Sequence, residues 1–475
     1  MLIRIARHEW HVIIRERRLW WLAAGLLALT ALSGAGGITR QRAVVADRAD
    51  AVTLDRTAWL SQPARNAHAA SHYGGFAIKD VSPLALLDPG VEPYTGSVVR
   101  IEAHRQGEAL FSPAREAGGI LRFGLLTPSM VLQTLMPLLV IFAGFALVCD
   151  EREHGTLALV CAQGISVRRL VLGKFVALLA LSWGMAAPVL VMSVALLGLA
   201  GTPLLMDDVL RLIVWVVLHL LYLAAVAACT VAVSARAPSG RAALTVLLAG
   251  WTVCVLLLPK GAANIGAGWH PLPSRAAFDE RVARDIAEGI DGHTPDLARR
   301  RVIEQEALRR YGVSRVEDLP VNLDGLIHEA SEAYSTDVYV RHFSALQQTI
   351  AQQNRLSGLV SAVNPFVAIR ALSMAVVGTD YTHHVAFHLA AEAYRRRMVT
   401  AMNAWLTYET RTGDWESPAD VSLWASVPQF AYERPSLRQA VQARVVAAGG
   451  LVLCLVAAGT WLIASARRAP VVASA

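Results

Sequence analysis

Cysteine, lysine and, over six long stretches, any charge at all are scarce in this 475-residue sequence. Its five cysteines, Cys149, Cys161, Cys229, Cys254 and Cys454, lie outside the two long polar segments, 39–122 and 260–444. Those segments must therefore fold without disulfides, and no Cys-x-x-Cys pair offers a thiolate zinc site. Lysine occurs only as Lys79, Lys174 and Lys260, so arginine carries almost all the positive charge. No Gly-x-x-x-x-Gly-Lys-Ser/Thr loop is present to cradle a nucleotide phosphate. Neither His8-Glu-Trp-His11 nor His328-Glu-Ala-Ser-Glu332 has the spacing that sets two imidazoles on one helix face around zinc, and no Gly-x-Ser-x-Gly nucleophile elbow occurs. These absences argue against a P-loop ATPase, a zincin and an α/β-hydrolase, and the chain is not expected to be an enzyme.

What is abundant is apolar surface. Hydrophobic residues make up 55% of the chain and charged residues 17%, with a mean hydropathy of +0.42, more apolar content than one soluble core requires. The runs 19–38, 123–149, 175–206, 212–235, 242–259 and 445–466 contain no Asp, Glu, Lys or Arg. About 20 helical residues cross about 30 Å of hydrocarbon, and lipid offers the backbone no hydrogen bonds, so each run reads as a membrane helix, with 242–259 the short one. Five arginines precede the first run and Gly34-Ala-Gly-Gly37 is a poor cleavage site, so this run is expected to be a retained span rather than a signal peptide. Trp20, Trp21, Trp251 and Trp461 suit interface anchors.

Arginine placement orients the spans. Residues 1–18 hold Arg4, Arg7, Arg15, Arg17 and Arg18; the connection 150–174 holds Arg152, Arg168, Arg169 and Lys174; Arg236 and Arg241 follow the fourth run, and Arg467 and Arg468 the last. All fall on one side, and the positive-inside rule makes it the cytoplasm, with both termini there. The expected order is a cytoplasmic amphipathic segment 1–18, spans at 19–38, 123–149, 175–201, 212–235, 242–259 and 445–466, a cytoplasmic elbow 150–174, extracytoplasmic segments 39–122 and 260–444, and a tail 467–475. The net charge of +7 is explained by these short loops and anionic lipid headgroups, without a nucleic-acid partner.

The second exported segment has helical periodicity: Phe278, Val282, Ile286 and Ile290 recur every fourth residue, and a stripe from Leu323 to Phe343 continues the pattern. The first is rich in turns and aromatics, with a strand expected near 96–104, and is expected to pack on the larger domain. The apolar stretch 359–378 contains Asn364-Pro365 and Arg370, which favours a buried or membrane-surface helix over a seventh span. His383, His384 and His388 make a tempting metal cluster, since 384 and 388 share a helix face; helix-start and packing histidines beside Asp380 and Glu392 are the preferred explanation. His219, inside the fourth run, reads as a neutral imidazole bonded to a neighbouring helix.

The elbow is the most informative segment. Asp150, Glu151 and Glu153 open a helix, Gly155-Thr156 interrupts it, and a short apolar helix containing Leu157 runs to Gly164 before Arg168, Arg169 and Lys174 lead into the third span. Acidic and basic groups around a small apolar helix suit a docking ridge.

The phrases Glu151-Arg-Glu-His-Gly-Thr-Leu157, Ser166-Val-Arg-Arg169 and Gly173-Lys-Phe175 resemble the coupling-helix signature of ABC-2 type ABC transporter permeases. Leu87-Asp-Pro-Gly90, Glu102-Ala-His-Arg105, Leu319 to Gly325, Asn364-Pro-Phe366, Ser373-Met374, His383-His384 and Val427 to Tyr432 extend the resemblance to a subgroup with a large extracytoplasmic domain of unknown function, similar to the permeases of nitrous-oxide-reductase maturation and gliding motility. The resemblance implies an all-α polytopic membrane protein with six transmembrane helices of ABC-2, type V exporter-like, architecture and a mostly helical extracytoplasmic domain, in the bacterial inner membrane. It also implies pairing with a second permease, identical or related, and with cytoplasmic ABC ATPase subunits that bind ATP and Mg; no cofactor is expected in this chain. Asp150, Glu151, Glu153, Gly155, Thr156, Leu157, Gly164, Arg168, Arg169 and Lys174 are the residues it assigns to coupling. Export of a substrate is the expected function, with Gly144, Gly184 and Ala187 expected on the seam between paired bundles; mechanotransmission to a periplasmic protein is the alternative.

Overall fold

The computed structural model describes residues 2–110, 125–291, 294 and 296–470. The junction expected at 122–123 and the tail residues 471–475 lie outside them. Among the described residues, six helices are long and apolar enough to cross a membrane: α2 (Arg17–Leu60), α4 (Pro128–Glu153), α6 (Val167–Ala200), α7 (Met206–Arg236), α8 (Gly240–Trp269) and α16 (Val445–Arg468). Because lipid leaves the backbone to satisfy its own hydrogen bonds, apolar runs of this length fold as helices. The chain is a predominantly helical, polytopic membrane protein.

Hydropathy locates the apolar runs and misplaces several helix ends. The run that stops at Ile38 lies inside a continuous 44-residue helix, about 66 Å long at 1.5 Å per residue. Its second half, rich in the helix formers Ala and Arg, offers nothing to break it. The short run at 242–259 belongs to a 30-residue helix. Two helices contain π-turns, Val131–Leu135 and Val253–Leu257, each two residues ahead of a proline, Pro137 and Pro259. A widened turn accommodates the ring and the missing N–H that would otherwise disrupt the helix.

The bundle is organised around α7, which contacts α16, α6, α4 and a further helix, α12 (Pro365–Val377). Its inner residues alternate small and large, with Ala225, Ala228 and Ala232 buried beside Trp215, Tyr222 and Leu223. The ambiguous stretch 359–378 resolves as the buried option. The 39-residue α11 (Leu323–Ser361) runs back along α8, and after the turn at Asn364 the chain returns as α12 between α7 and α16. Close backbone approach permits this: a Cβ on Gly266 would strike the Gln353 carbonyl, and one on Gly450 the Ser361 carbonyl. Asn364 accepts from the Phe366 and Val367 N–H groups and donates to the Cys254 carbonyl at 2.9 Å, so one side chain caps α12 and ties it to the π-turn of α8.

The two long polar segments build one module at the end of the bundle opposite residues 150–174. Strands β1 (Phe76–Ile78), β2 (Val98–Arg100) and β3 (Ala109–Leu110) form an antiparallel sheet in that order, a small departure from an all-helical chain. The strand expected near 96–104 is confined to Val98–Arg100. Helices α9 (Arg275–Glu288) and α11 share the core of Phe278, Val282 and Val338, with Ile286, Ile290 and Phe343 packed on it. A second core joins Trp59, Ala67, Val99, Ile101, Phe387, Met398 and Trp424, drawn from both segments. There the Trp59 indole donates to the Trp424 carbonyl at 2.8 Å. Helix α13 (Tyr381–Glu409) supplies most of that core's helical face.

Candidate functional site

At the elbow, the chain turns on Gly155, whose φ of +75° is a left-handed conformation that favours glycine. The short helix α5 (Thr156–Ala162) follows, and Gly164, at φ +83°, turns the chain again before α6. Asp150, Glu153, Gly155, Thr156, Gly164, Arg168 and Arg169 are exposed, and so is Leu159 at the crest, 66% accessible. Glu151 is half-buried, and Leu157 is fully buried, rooting α5 in the bundle. The outer surface thus carries acids, one apolar knob and bases in succession.

Lys174 belongs to the buried root of the elbow and not to its exposed crest. Its Nζ donates to Glu9 Oε1 and Glu151 Oε1, both at 2.8 Å, clamping the N-terminal helix α1 (Leu2–Ile13) to the elbow and to α6. Arg152, which the motif reading passed over, is buried and donates to the carbonyls of Ala235, Ala237 and Pro470 at 2.5, 2.6 and 2.8 Å. It satisfies carbonyls at the C-terminal end of α7, where a helix has none of its own donors left and a cation is favoured. Glu153 Oε2 accepts from Gly240 N–H at the first turn of α8. No spacing rule separates Arg152 from its exposed neighbours, and only the packing reveals its role.

The other end of α7 is gripped as firmly. Arg211 is fully buried and donates to Asp207, to the Val376 carbonyl at the end of α12 and to the Pro435 carbonyl. Asp208, also buried, accepts from Arg434 at 2.9 Å. Asp380 receives His383 Nδ1 and Arg444 Nη2, both at 2.6 Å, where α13 begins and α16 is about to enter the bundle. A polar ladder continues inward. Asp88 accepts from the Ser373 hydroxyl, and the Trp215 indole donates to Ser373 Oγ at 3.0 Å. His219 Nδ1 meets the Trp215 carbonyl at 2.7 Å, and its Nε2 lies 3.1 Å from Gln133 Nε2 on α4. His219 therefore has the neighbouring-helix partner its sequence suggests. Burial raises the Asp88 carboxyl above its ordinary range, against the lowering effect of the Ser373 and Gly90 hydrogen bonds.

The cluster His383, His384 and His388 does not converge on one point. His383 is buried with its Nδ1 on Asp380, while His384 and His388 share a separate face with ring centroids 4.6 Å apart. Burial pushes His384 down to about 3 and His388 to about 4. Among the described residues, the one group of three or more metal-ligating side chains with donor atoms within 4.8 Å of one another is His68, His104 and His328. His68 sits on α3 (Ala67–His72), His104 in the turn after β2, and His328 on the first turns of α11. Burial first, and then the neighbouring His104, push His68 down to about 4; burial and then His68 do the same to His328. Neither position was legible as a partner of the other, for they are 260 residues apart; the faint signal was His328 and Glu332 at i, i+4.

Gly144 also differs from expectation. A Cβ there would collide with Leu178 and Thr230 of the same bundle, so it is an internal contact, whereas Gly184 and Ala187 lie on the exposed face of α6.

The family model of a domain of unknown function, DUF3526, matches residues 275–433, which begin at α9, run past the end of α13 and contain His328. No curated protein and no solved structure matches the chain.

Proposed function

We propose that this chain is the membrane-spanning permease subunit of an ABC-2 type ATP-driven transporter. Its elbow and termini face the cytoplasm of a bacterial inner membrane and its module faces the periplasm. It pairs with a second permease, identical or related, and separate ATPase subunits bind ATP and Mg and hold the elbows. The observation that carries this reading is the construction of residues 150–174: an exposed crest of Glu153, Leu159 and Arg168 on a buried root in which Arg152 holds the end of α7 and Lys174 holds α1. A partner that displaces the crest displaces the spans with it. The arginine-rich short connections support the orientation.

Export of a substrate between paired bundles is the function this arrangement supports, and the charge-free spans suit an apolar or lipid-like cargo. A second reading, force transmission to a periplasmic protein without cargo, draws on one specific feature: α7 is clamped to the elbow by Arg152 and to the module by Arg211 and Asp208.

The test is co-purification of ABC-type ATPase subunits with the permease extracted from its native membrane. Wild type is expected to retain them, while Glu153→Lys and Gly155→Pro insert normally and lose them. Retention by both variants, or labelling of an introduced cysteine at 159 from outside the cell, would overturn the proposal. Bulky substitution at Gly184 and Ala187 then separates the two readings: altered cargo-stimulated ATP hydrolysis favours export, and an unchanged response favours force transmission.

A further inference from the structure

We infer that His68, His104 and His328 form a binding site for a divalent transition-metal ion of the zinc class, at the place where the two long polar segments meet. The inference goes beyond the permease reading and does not depend on it.

The argument begins with protons. Asn403 Nδ2 donates to Glu329 Oε2 at 3.0 Å, which turns the amide oxygen of Asn403 toward His68 Nδ1, 3.4 Å away. An acceptor at that position sets the proton of His68 on Nδ1. The carboxylate of Glu332 contacts His104 Nδ1 and is held by Arg395 at 3.0 Å, so it too is an acceptor and His104 carries its proton on Nδ1. Each ring is left with a bare lone pair on Nε2. These two Nε2 atoms face each other at 3.3 Å.

Two acceptors in contact repel, and a cation between them converts the repulsion into attraction. The spacing has the right size for one. Two imidazole nitrogens at about 2.0–2.1 Å from a tetrahedral ion stand about 3.3 Å from each other. His328 completes the group, its ring stacked on His68 with centroids 3.8 Å apart and its donor atom within 4.8 Å of the others.

The surroundings have the features of a built site. Ligating histidines ordinarily give their second ring N–H to a carboxylate or amide, which fixes ring orientation and strengthens the ligand; here Glu332 and Asn403 occupy those places. His104 is held at φ +63°, the one non-glycine residue with positive φ among those described, an uncommon backbone at the residue whose ring meets His68. Three imidazoles with no carboxylate or thiolate in the first shell suit zinc, copper or nickel and disfavour magnesium and calcium. The His104 side chain is 42% exposed, and exposed His72 has its ring centroid 5.0 Å from that of His104, so a fourth position faces solvent for water or a delivered ligand.

The test uses the full-length protein in detergent, stripped with a chelator and titrated with zinc against a chromophoric competitor, and with cobalt(II) for its absorption. One ion per chain is expected, with a Kd on the order of micromolar or tighter, and cobalt should give the intense visible bands of a tetrahedral site. His68→Ala and His328→Ala should each weaken binding by about 100-fold, with His388→Ala binding as wild type. Because a variant can fail by misfolding, X-ray absorption of the zinc-loaded wild type provides a second measurement: a nitrogen and oxygen shell with imidazole scattering is expected. Absence of stoichiometric binding, sulfur in the shell, or His68→Ala binding as tightly as wild type would overturn the site. Glu153→Lys should keep the metal while losing the ATPase, so failure of this inference and failure of the permease reading are distinguishable.

Discussion

Lys174 of the third span and Glu9 of the helix that precedes the first form a buried ion pair, Nζ to Oε1 at 2.8 Å. Glu151 shares the same ammonium, so a single cation neutralises two carboxylates from different elements. Replacement by Lys174→Met would leave those carboxylates facing each other without a counter-charge, and breaking a buried pair in this way costs about 3–5 kcal/mol. The expected outcome is a lowered melting temperature and faster tryptic cleavage at Arg4 and Arg7 in α1. An unchanged melting curve and cleavage pattern would remove the clamp from the account.

Crest and root of the elbow should separate under mutation. Leu159 is 66% exposed, so Leu159→Glu should change stability by no more than about 0.5 kcal/mol while abolishing ATPase capture. Arg152→Ala strands the carbonyls of Ala235 and Ala237, both buried, and should lower stability measurably before any partner is added. Thermal unfolding of the two purified variants, with and without the ATPase, checks both halves.

Acid should loosen the junction of module and bundle through two groups with different windows. Burial raises the Asp380 carboxyl, but the hydrogen bond from His383 and the charge of Arg444 outweigh it, and its folded value lies below the ordinary one. A depressed carboxylate contributes stability that is present above its unfolded value, about 3.9, and is lost as pH falls through the folded value. Burial, with His388 and Lys79 nearby, lowers His384 to about 3, so the folded state favours its neutral form. Its contribution is present above the unfolded value of about 6.5 and is lost between there and about 3. Wild type should therefore lose stability in two stages on acidification. His384→Gln should shrink the upper stage without removing it, since His388, His68 and His328, each lowered to about 4, titrate in the same window, and Asp380→Asn should be less stable than wild type at pH 7, the difference closing only in strong acid. Melting temperature against pH reads both.

The inserted helix α12 depends on one asparagine. Asn364→Ala removes two capping bonds and the bond to Cys254 O, and should cost about 1–3 kcal/mol. Gly450→Val places carbon atoms where the Ser361 carbonyl lies and should expel the turn, seen as new labelling of a cysteine introduced at position 361, which is buried. Unaltered stability and labelling in both variants would show that α12 is held by its apolar face alone.

The spans were legible because a bilayer constrains composition: a run without charge over about 20 residues has few other fates. The break at Gly155 was legible for a similar local reason, since glycine there relieves a left-handed turn. Helix ends were not, because Ile38 ends a hydrophobic run while Ala and Arg continue the helix to Leu60. Lys174 looked like a docking residue, and only tertiary packing sets Glu9 against it. The histidine site was the least legible part. His68, His104 and His328 come from three separate elements, and His328 is followed at i+4 not by a second imidazole but by Glu332, whose carboxylate holds His104 Nδ1.

Of the six long apolar helices, α7 alone contains neither glycine nor proline between its first residue and its last. The others have points of compliance: a π-turn before Pro137 or Pro259, Pro188 in α6, and glycines in α2 and α16. An unbroken rod of 31 residues, about 46 Å long, bends little under load and cannot absorb a push at one end by kinking. Its neighbours can flex while it tilts as a unit, so a displacement applied where Arg152 holds the rod reappears, undamped, where Arg211 and Asp208 meet the module.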